Sequence, residues 1–423
     1  MDEYVRQVLT EVARRHGTPS FVYLADTIRK RVRELHSVFA ERFEIRYAVK
    51  ANPNSALLTL LRDLGVDLDV SSAGEMLRGL NVGFKENRIG FTGPGKRHFE
   101  LQLAIQRGIC EIICESPDEI EEANRIASHY GVVQPILLRV NPINVPRKFG
   151  LQMGGQASQF GIDEEELPGV LSCLSSWSSV RFCGFHAFSA GNSLSEDAIV
   201  ENLSNLIKLF TRFASDFSLT PQRFAFGSGF GIPYFSGDHE LDLAKIGREL
   251  NPIVDEIRSQ KRFCNTSITL EMGRWLVGTA GYMLTSVVRS KNSRGKAIRI
   301  CDAGFNNNLS AAGMLGTVLR RDWQFWNLSA AESQTRESYM IVGPLCASFD
   351  VLGTDVALPP TGKGDVLAIG SSGAYGLSAS PVGFISHPFP REILVENNNG
   401  ETLIHEVTEF DKTHYKFLDA EQN

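Results

Sequence analysis

No run of 18 apolar residues occurs in the 423-residue chain, so the sequence offers no membrane-spanning helix. The first residues, Met1-Asp2-Glu3-Tyr4, are acidic and polar, unlike a secretory signal, and a cytoplasmic location is expected. Paired cysteines are missing too. The seven cysteines, at 110, 114, 173, 183, 264, 301 and 346, include no CxxC. That spacing suits neither a zinc site nor a disulfide scaffold, so no metal and a reducing compartment are expected. Nor is there excess positive charge: 43 Lys+Arg stand against 49 Asp+Glu, a formal net charge of −6. A nucleic-acid partner would ask for a basic stripe instead. Repeats, low-complexity tracts and long linkers are also lacking. What remains is an ordinary globular composition, 43% hydrophobic and 22% charged, in a chain long enough for two or three domains at about 150 residues each.

The apolar pattern changes about two-thirds of the way along. From about residue 45 to 285, short apolar runs alternate with amphipathic stretches. The runs include 45–49, 66–70, 111–114, 135–140, 182–186, 223–227 and 268–271; helix-like stretches include 55–64, 73–80, 117–129 and 196–213. Strand–helix alternation at a spacing of about 30 residues marks parallel α/β structure, and about eight such units have the size of a TIM barrel. A doubly wound sheet is the competing topology, which periodicity alone does not separate. Beyond 285, β-rich runs at 283–289, 297–301, 338–342, 365–369 and 392–395 are broken by Gly and Asn turns, which reads as a second, mostly antiparallel β domain. Residues 1–16 read as an amphipathic helix and 19–24 as a strand.

Five segments carry chemistry. In Tyr47-Ala48-Val49-Lys50-Ala51-Asn52-Pro53 a lysine stands at the end of a buried strand. A desolvated lysine condenses readily with carbonyl groups, although a lysine can also simply emerge at a strand end. In Phe226-Gly227-Ser228-Gly229-Phe230-Gly231-Ile232-Pro233-Tyr234 a glycine-rich loop follows a strand and lets backbone N–H groups approach a phosphate; such turns are also common without one. Leu270-Glu271-Met272-Gly273-Arg274 sets a carboxylate and a guanidinium at another strand end. Together they suit a protonated heterocycle and an anion, or only each other. Gly343-Pro344-Leu345-Cys346-Ala347-Ser348-Phe349-Asp350 and Ser372-Gly373-Ala374-Tyr375-Gly376, each alone, could be ordinary loops.

In this order and spacing the five segments resemble the fold type III pyridoxal-phosphate decarboxylases, the family of diaminopimelate, ornithine and arginine decarboxylases, over nearly the whole chain. The resemblance implies a pyridoxal-binding α/β barrel at 38–283, and a β domain made of 1–37 and 284–423. It also implies a homodimer with active sites at the subunit interface, and pyridoxal 5'-phosphate as cofactor. By position, Lys50 matches the lysine that holds the cofactor covalently and Asp69 the acidic residue beside it. Gly227, Ser228, Gly229 and Gly231 match the phosphate loop. Glu271 matches the partner of the pyridine nitrogen, with Gly273 and Arg274 following it. Tyr375 matches the tyrosine that reaches the phosphate. Cys346 and Asp350 match the loop that crosses into the partner's site, Cys346 as the acid that reprotonates the α-carbon. Arg274, Cys346, Asp350 and Asn306 are expected to meet the substrate.

Three departures bear on substrate. In Gly184-Phe185-His186-Ala187-Phe188-Ser189-Ala190-Gly191, Phe188 takes the place of the histidine that stacks on the cofactor, Gly191 that of a phosphate-binding serine, and His186 is retained two residues earlier. Ser310, in the segment opened by Asp302-Ala303-Gly304-Phe305-Asn306, stands at about the position where diaminopimelate decarboxylases carry an arginine for the distal carboxylate. Ala347 and Phe349 replace the acidic and glycine positions of their C-E-S-G-D motif. With Gln152-Met153-Gly154-Gly155, Gln159-Phe160-Gly161 and Leu319-Arg320-Arg321, these features look similar to decarboxylases of secondary metabolism acting on modified or carrier-tethered amino acids. Diaminopimelate decarboxylation, amino-acid racemisation and a non-catalytic binding role are the alternatives.

Overall fold

The computed structural model describes residues 1–144, 151–152, 155–314, 321–331 and 335–409. Met153, Gly154, Leu319 and Arg320 lie outside them. The chain forms two compact units: one holds Val32–Gly231 and Leu241–Gly273, the other Met1–Arg31, Ile232–Glu240 and the described residues from Arg274 onward.

The first unit is a closed parallel barrel. Its strands are β1 (Glu44–Ala48), β2 (Asp67–Val70), β3 (Ile89–Phe91), β4 (Glu111–Cys114), β5 (Gln134–Asn141), β6 (Val180–Ala187), β7 (Arg223–Gly227) and β8 (Ser267–Met272). Each pairs with the next, and β8 returns to β1 with Thr269 opposite Glu44. Closure rules out the doubly wound sheet. The expected runs are seven of these strands; β3 escaped notice because it has three residues, one of them Gly90. Side-chain caps start the connecting helices: the Asn54 carboxamide accepts from Ala56 N at 3.0 Å, and the Ser72 and Ser116 hydroxyls from Glu75 N and Glu119 N at 3.2 and 3.1 Å. Such caps satisfy N–H groups that a helix end leaves open. Helices His98–Arg107 and Leu243–Ser259 were not anticipated. A phenylalanine wedge locks helix Glu196–Asp216 onto β6 and β7: Phe210 lies 5.2 Å from Phe185, 5.4 Å from Phe224 and 5.1 Å from Phe226.

The second unit is built on a nine-stranded sheet. The amino-terminal strand Ser20–Leu24 lies between Gly281–Ser293, antiparallel to it, and Arg391–Asn398, parallel to it. A second parallel pair joins Lys296–Cys301 to Glu337–Val342; the other pairings of the described strands are antiparallel, so the sheet is mostly antiparallel, as expected. Helix Glu3–His16 packs Val8, Leu9 and Val12 on Val22, Leu284 and Ile393. A Cβ on Gly281 would strike the Gly373 backbone, so both positions need glycine where the Tyr375 loop crosses the sheet.

Candidate functional site

The carboxyl ends of the barrel strands gather four ionisable side chains. Lys50 sits in a single helical turn, Val49–Ala51, directly after β1. Its flanking residues are buried and Lys50 itself is exposed: the strand stops at Ala48 and the turn carries the lysine past its end. The Lys50 ammonium lies 5.7 Å from the centre of the Phe188 ring. A Cβ on Gly273 would stand 2.7 Å from that of Ala51, so glycine here lets the end of β8 close on the lysine turn.

Asp69, the penultimate residue of β2, is 2% exposed and accepts a hydrogen bond from the Thr92 hydroxyl. Burial, and then the charge of Glu271, push its carboxyl up to about 6, against the attraction of Lys50. Glu271 in β8 is also buried, yet the charge and hydrogen bond of His186 hold it below the ordinary carboxylate value. The His186 Nε2 to Glu271 Oε2 distance is 2.9 Å. The other two atoms of the pair, His186 Nδ1 and Glu271 Oε1, are buried without a hydrogen-bond partner among the described residues. An unpaired buried carboxylate oxygen costs about 1–3 kcal/mol, a cost met where a ligand supplies the missing donor. Glu75, whose N–H is capped by the Ser72 hydroxyl, is pushed up to about 7 by burial, opposed by its hydrogen bond from Ser71 N.

The glycine loop after β7 is stitched to the segment following Phe188. Ser193 N donates to Gly229 O at 2.9 Å and Gly231 N to Ser193 O at 2.8 Å. Gly229 has φ +73°, and a Cβ on Gly231 would stand 2.7 Å from Ser193 O, so neither position accepts a larger residue without strain. The Phe188 ring lies flat against Gly227, where a Cβ would enter it, and 3.3 Å from where a Cβ of Gly191 would stand. Ser228 N is spent on Glu271 O at 2.9 Å, tying the loop to β8.

The second unit carries the other expected residues. Arg274 donates from Nη1 to the Tyr234 hydroxyl, and its guanidinium lies 4.8 Å from the centre of the Tyr375 ring. Tyr375 has φ +54°, a left-handed conformation that non-glycine residues hold only under constraint. Cys346 is exposed. Asp350, four residues on, is 3% exposed; its two oxygens accept from Phe305 N and Leu345 N, both at 2.8 Å. Its carboxylate thus shapes the Cys346 loop, and glycines at 304 and 343 make room for it. Among the described residues, neither Oδ1 of Asn306, which is 1% exposed, nor Nδ2 of Asn307 beside it has a hydrogen-bond partner. The Ser310 hydroxyl donates to Tyr375 O at 2.9 Å. Thr92, Tyr234 and Asn307 were not foreseen. Tyr234 closes the glycine-loop motif in sequence, but nothing local signals its bond to an arginine 40 residues later.

Comparison with known proteins follows the same lines. A family model described as pyridoxal-dependent decarboxylase, pyridoxal binding domain, matches residues 25–278. An L-glutamyl-[BtrI acyl-carrier protein] decarboxylase from Niallia circulans is 34% identical, covering 93% of this chain and 92% of the relative. A diaminopimelate decarboxylase from Methanothermobacter thermautotrophicus is 31% identical over 93% and 90%. The crystal structure of diaminopimelate decarboxylase from Helicobacter pylori complexed with L-lysine superposes with a TM-score of 0.84 at 25% identity, over 97% of this chain and 99% of that one.

Proposed function

Since the chain belongs to the pyridoxal-dependent decarboxylases, carboxy-lyases that use pyridoxal 5'-phosphate, we propose that it removes the α-carboxylate of a modified or carrier-tethered amino acid in secondary metabolism. The substrate reading rests on the places where a free diaminopimelate would be gripped. Position 310 offers a hydroxyl, already spent on Tyr375 O, where an arginine would hold a distal carboxylate. Position 347 offers a methyl group where an acid would hold a distal amine. Phe349 is 51% exposed and packs 4.9 Å from Phe305, an apolar surface suited to an uncharged extension of the substrate. The glutamyl-carrier-protein decarboxylase among the relatives points the same way.

The residues fit the cofactor on two features: Glu271 Oε1, buried without a hydrogen-bond partner among the described residues, and a loop with glycines at 227, 229 and 231, where no Cβ stands between the backbone and an incoming phosphate. In this reading Lys50 holds the cofactor covalently, and Asp69, His186 and Phe188 border it. Gly227, Ser228, Gly229, Gly231, Gly273, Arg274 and Tyr375 bind and frame its phosphate. Held by these residues, the cofactor would supply an electron sink for the pair left on the α-carbon when CO₂ is lost. Glu271, oriented by His186, keeps the pyridine nitrogen protonated from Oε1. Cys346 returns a proton to the α-carbon from Sγ, and Asp350 and Asn306 help define the substrate side. The barrel of 38–283 and the β domain of 1–37 and 284–423 act in a homodimer, with Cys346 serving the partner's Lys50.

The test is direct. Purified protein is given a glutamyl thioester on a carrier protein, or free diaminopimelate, and CO₂ release is followed. Turnover of the tethered substrate with none of diaminopimelate is expected; the reverse preference overturns the substrate reading.

A further inference from the structure

The segment Ile232–Glu240 follows the glycine loop in sequence but belongs to the second unit. It presents one side chain to Arg274. Tyr234 is 5% exposed, its hydroxyl accepts from Arg274 Nη1, and the guanidinium also lies 5.4 Å from the centre of its ring. The phenol is itself held. Its ring centre is 4.4 Å from that of Trp323, which is 6% exposed. Residues 235 and 323 form an antiparallel bridge. Asp238 Oδ2 accepts from Tyr234 N and Phe235 N at 3.3 and 3.1 Å. The Ser371 hydroxyl donates to Pro233 O at 3.1 Å, joining this turn to the loop that bears Tyr375. Arg274 is therefore fixed by a hydrogen bond at one Nη and by two aromatic rings.

We propose that Tyr234 is a positioning residue: by holding Nη1 and backing the guanidinium plane, it aims the remaining Arg274 donors at an anionic group. The proposal rests on the reading above, in which Arg274 serves the cofactor's phosphate. An arginine on a surface loses rotamer freedom each time it binds; one clamped in advance binds a phosphate with that cost removed, and its planar fork makes direction decisive. A lysine or a free arginine would bind the same charge more loosely.

Apoprotein is titrated with pyridoxal 5'-phosphate and, separately, with pyridoxal, which lacks the phosphate, and binding is followed by chromophore absorbance. The readout is the ratio of the two affinities. Tyr234→Phe keeps the ring and the Trp323 packing and removes only the hydroxyl. It is expected to weaken pyridoxal 5'-phosphate about tenfold, the scale of a hydrogen bond to a charged group, and to leave pyridoxal within about twofold of the parent, a shift too small to register against that bond. An equal loss for both ligands, or no loss for either, overturns the proposal, the first because it marks a purely structural role. Arg274→Met separates the layers. If it leaves the ratio unchanged, Arg274 does not hold the phosphate and the underlying reading falls with the proposal. If it lowers the ratio while Tyr234→Phe does not, Tyr234 alone loses its role.

Discussion

The barrel carries a buried ionic cluster at each mouth, and the two are solved in opposite ways. At the amino ends of the strands, Arg46 pairs with Glu111 Oε1, Arg223 reaches Glu111 Oε2 at 2.5 Å and Glu44 at 2.8 Å, and Thr269 adds a bond to Glu44 at 3.3 Å. Two cations face two carboxylates. Despite burial, Arg46 and then Arg223 bring the Glu111 carboxyl down to about 2. The missing Cβ of Gly90 is where the Arg46 guanidinium passes. At the carboxyl ends, Asp69 and Glu271 repel each other, and Glu271 Oε1 and His186 Nδ1 have no hydrogen-bond partner among the described residues. One cluster pairs each of its charges within itself, leaving Arg46 Nε alone without a hydrogen-bond partner among the described residues; the other leaves a carboxylate oxygen open. That is the division of labour expected of the two faces of such a barrel.

The comparison breaks most severely at Lys50. Lys50→Ala is expected to lower CO₂ release by about 10⁴-fold or more, as loss of a covalent catalytic group does, while stability changes by less than about 0.5 kcal/mol, since the residue is exposed. Borohydride treatment of the parent should fix the chromophore to the peptide containing Lys50, and label on another lysine would remove it from the site. Glu111→Ala is the mirror experiment. It leaves Arg46, fully buried, and Arg223 without their shared partner and should cost about 3–5 kcal/mol in urea unfolding. The catalytic constants of the folded protein should stay near those of the parent. A large fall in kcat with intact stability would mean the lower mouth is not merely structural.

How far the sequence reaches can be judged at the same two mouths. The barrel was legible because the cores of its strands, such as 136–138 and 224–226, are hydrophobic throughout, as strands buried on both faces must be. Closure was not, since the pairing of Ile112 with Ile136 is a long-range fact that periodicity does not encode. Lys50, Glu271 and the glycine loop stood out because each lies at or just past the carboxyl end of a strand, where a barrel presents its chemistry. The lower cluster passed unnoticed: Arg46, Glu111 and Arg223 are single charges inside strands, and only the fold brings residues 65 and 112 positions apart onto one carboxylate. His186 was seen as a retained histidine, but its bond to Glu271 depends on strand register. Asp350 read as a substrate residue from its motif, whereas its burial and two backbone bonds became visible only with the loop folded.

Glu271→Gln sharpens the contrast at smaller scale. The amide keeps the size and the burial but no longer stabilises a proton on a ring nitrogen. A drop in kcat of about 10²-fold, near 3 kcal/mol, is expected from loss of one preorganised electrostatic contact, with unfolding midpoints close to the parent. Unchanged kcat would remove Glu271 from the mechanism and leave the open Oε1 without a purpose.

The smallest effect is a pH dependence, and it tests whether the upper mouth is electrostatically strained. The folded-state value of Asp69, about 6, lies above its ordinary value of 3.8 because of burial and Glu271. As pH rises between these values, the unfolded chain releases the proton first and the folded chain retains it. Ionising Asp69 therefore lowers stability progressively from about pH 4 to about pH 6, by up to about 3 kcal/mol, and the penalty is constant above that. Glu111 has the opposite sign, its contribution being lost as pH falls from about 4.5 toward 2, outside most of this window. Asp69→Asn keeps an acceptor for the Thr92 hydroxyl but cannot ionise. Urea unfolding of the apoproteins should find variant and parent alike near pH 4, with the variant gaining stability relative to the parent up to about pH 6 and holding the gain at pH 7. Other titrating groups are common to both proteins and largely cancel in the difference. A difference that stays constant from pH 4 to 7 would mean that Asp69 is as well compensated as Glu111, and that the two mouths are alike.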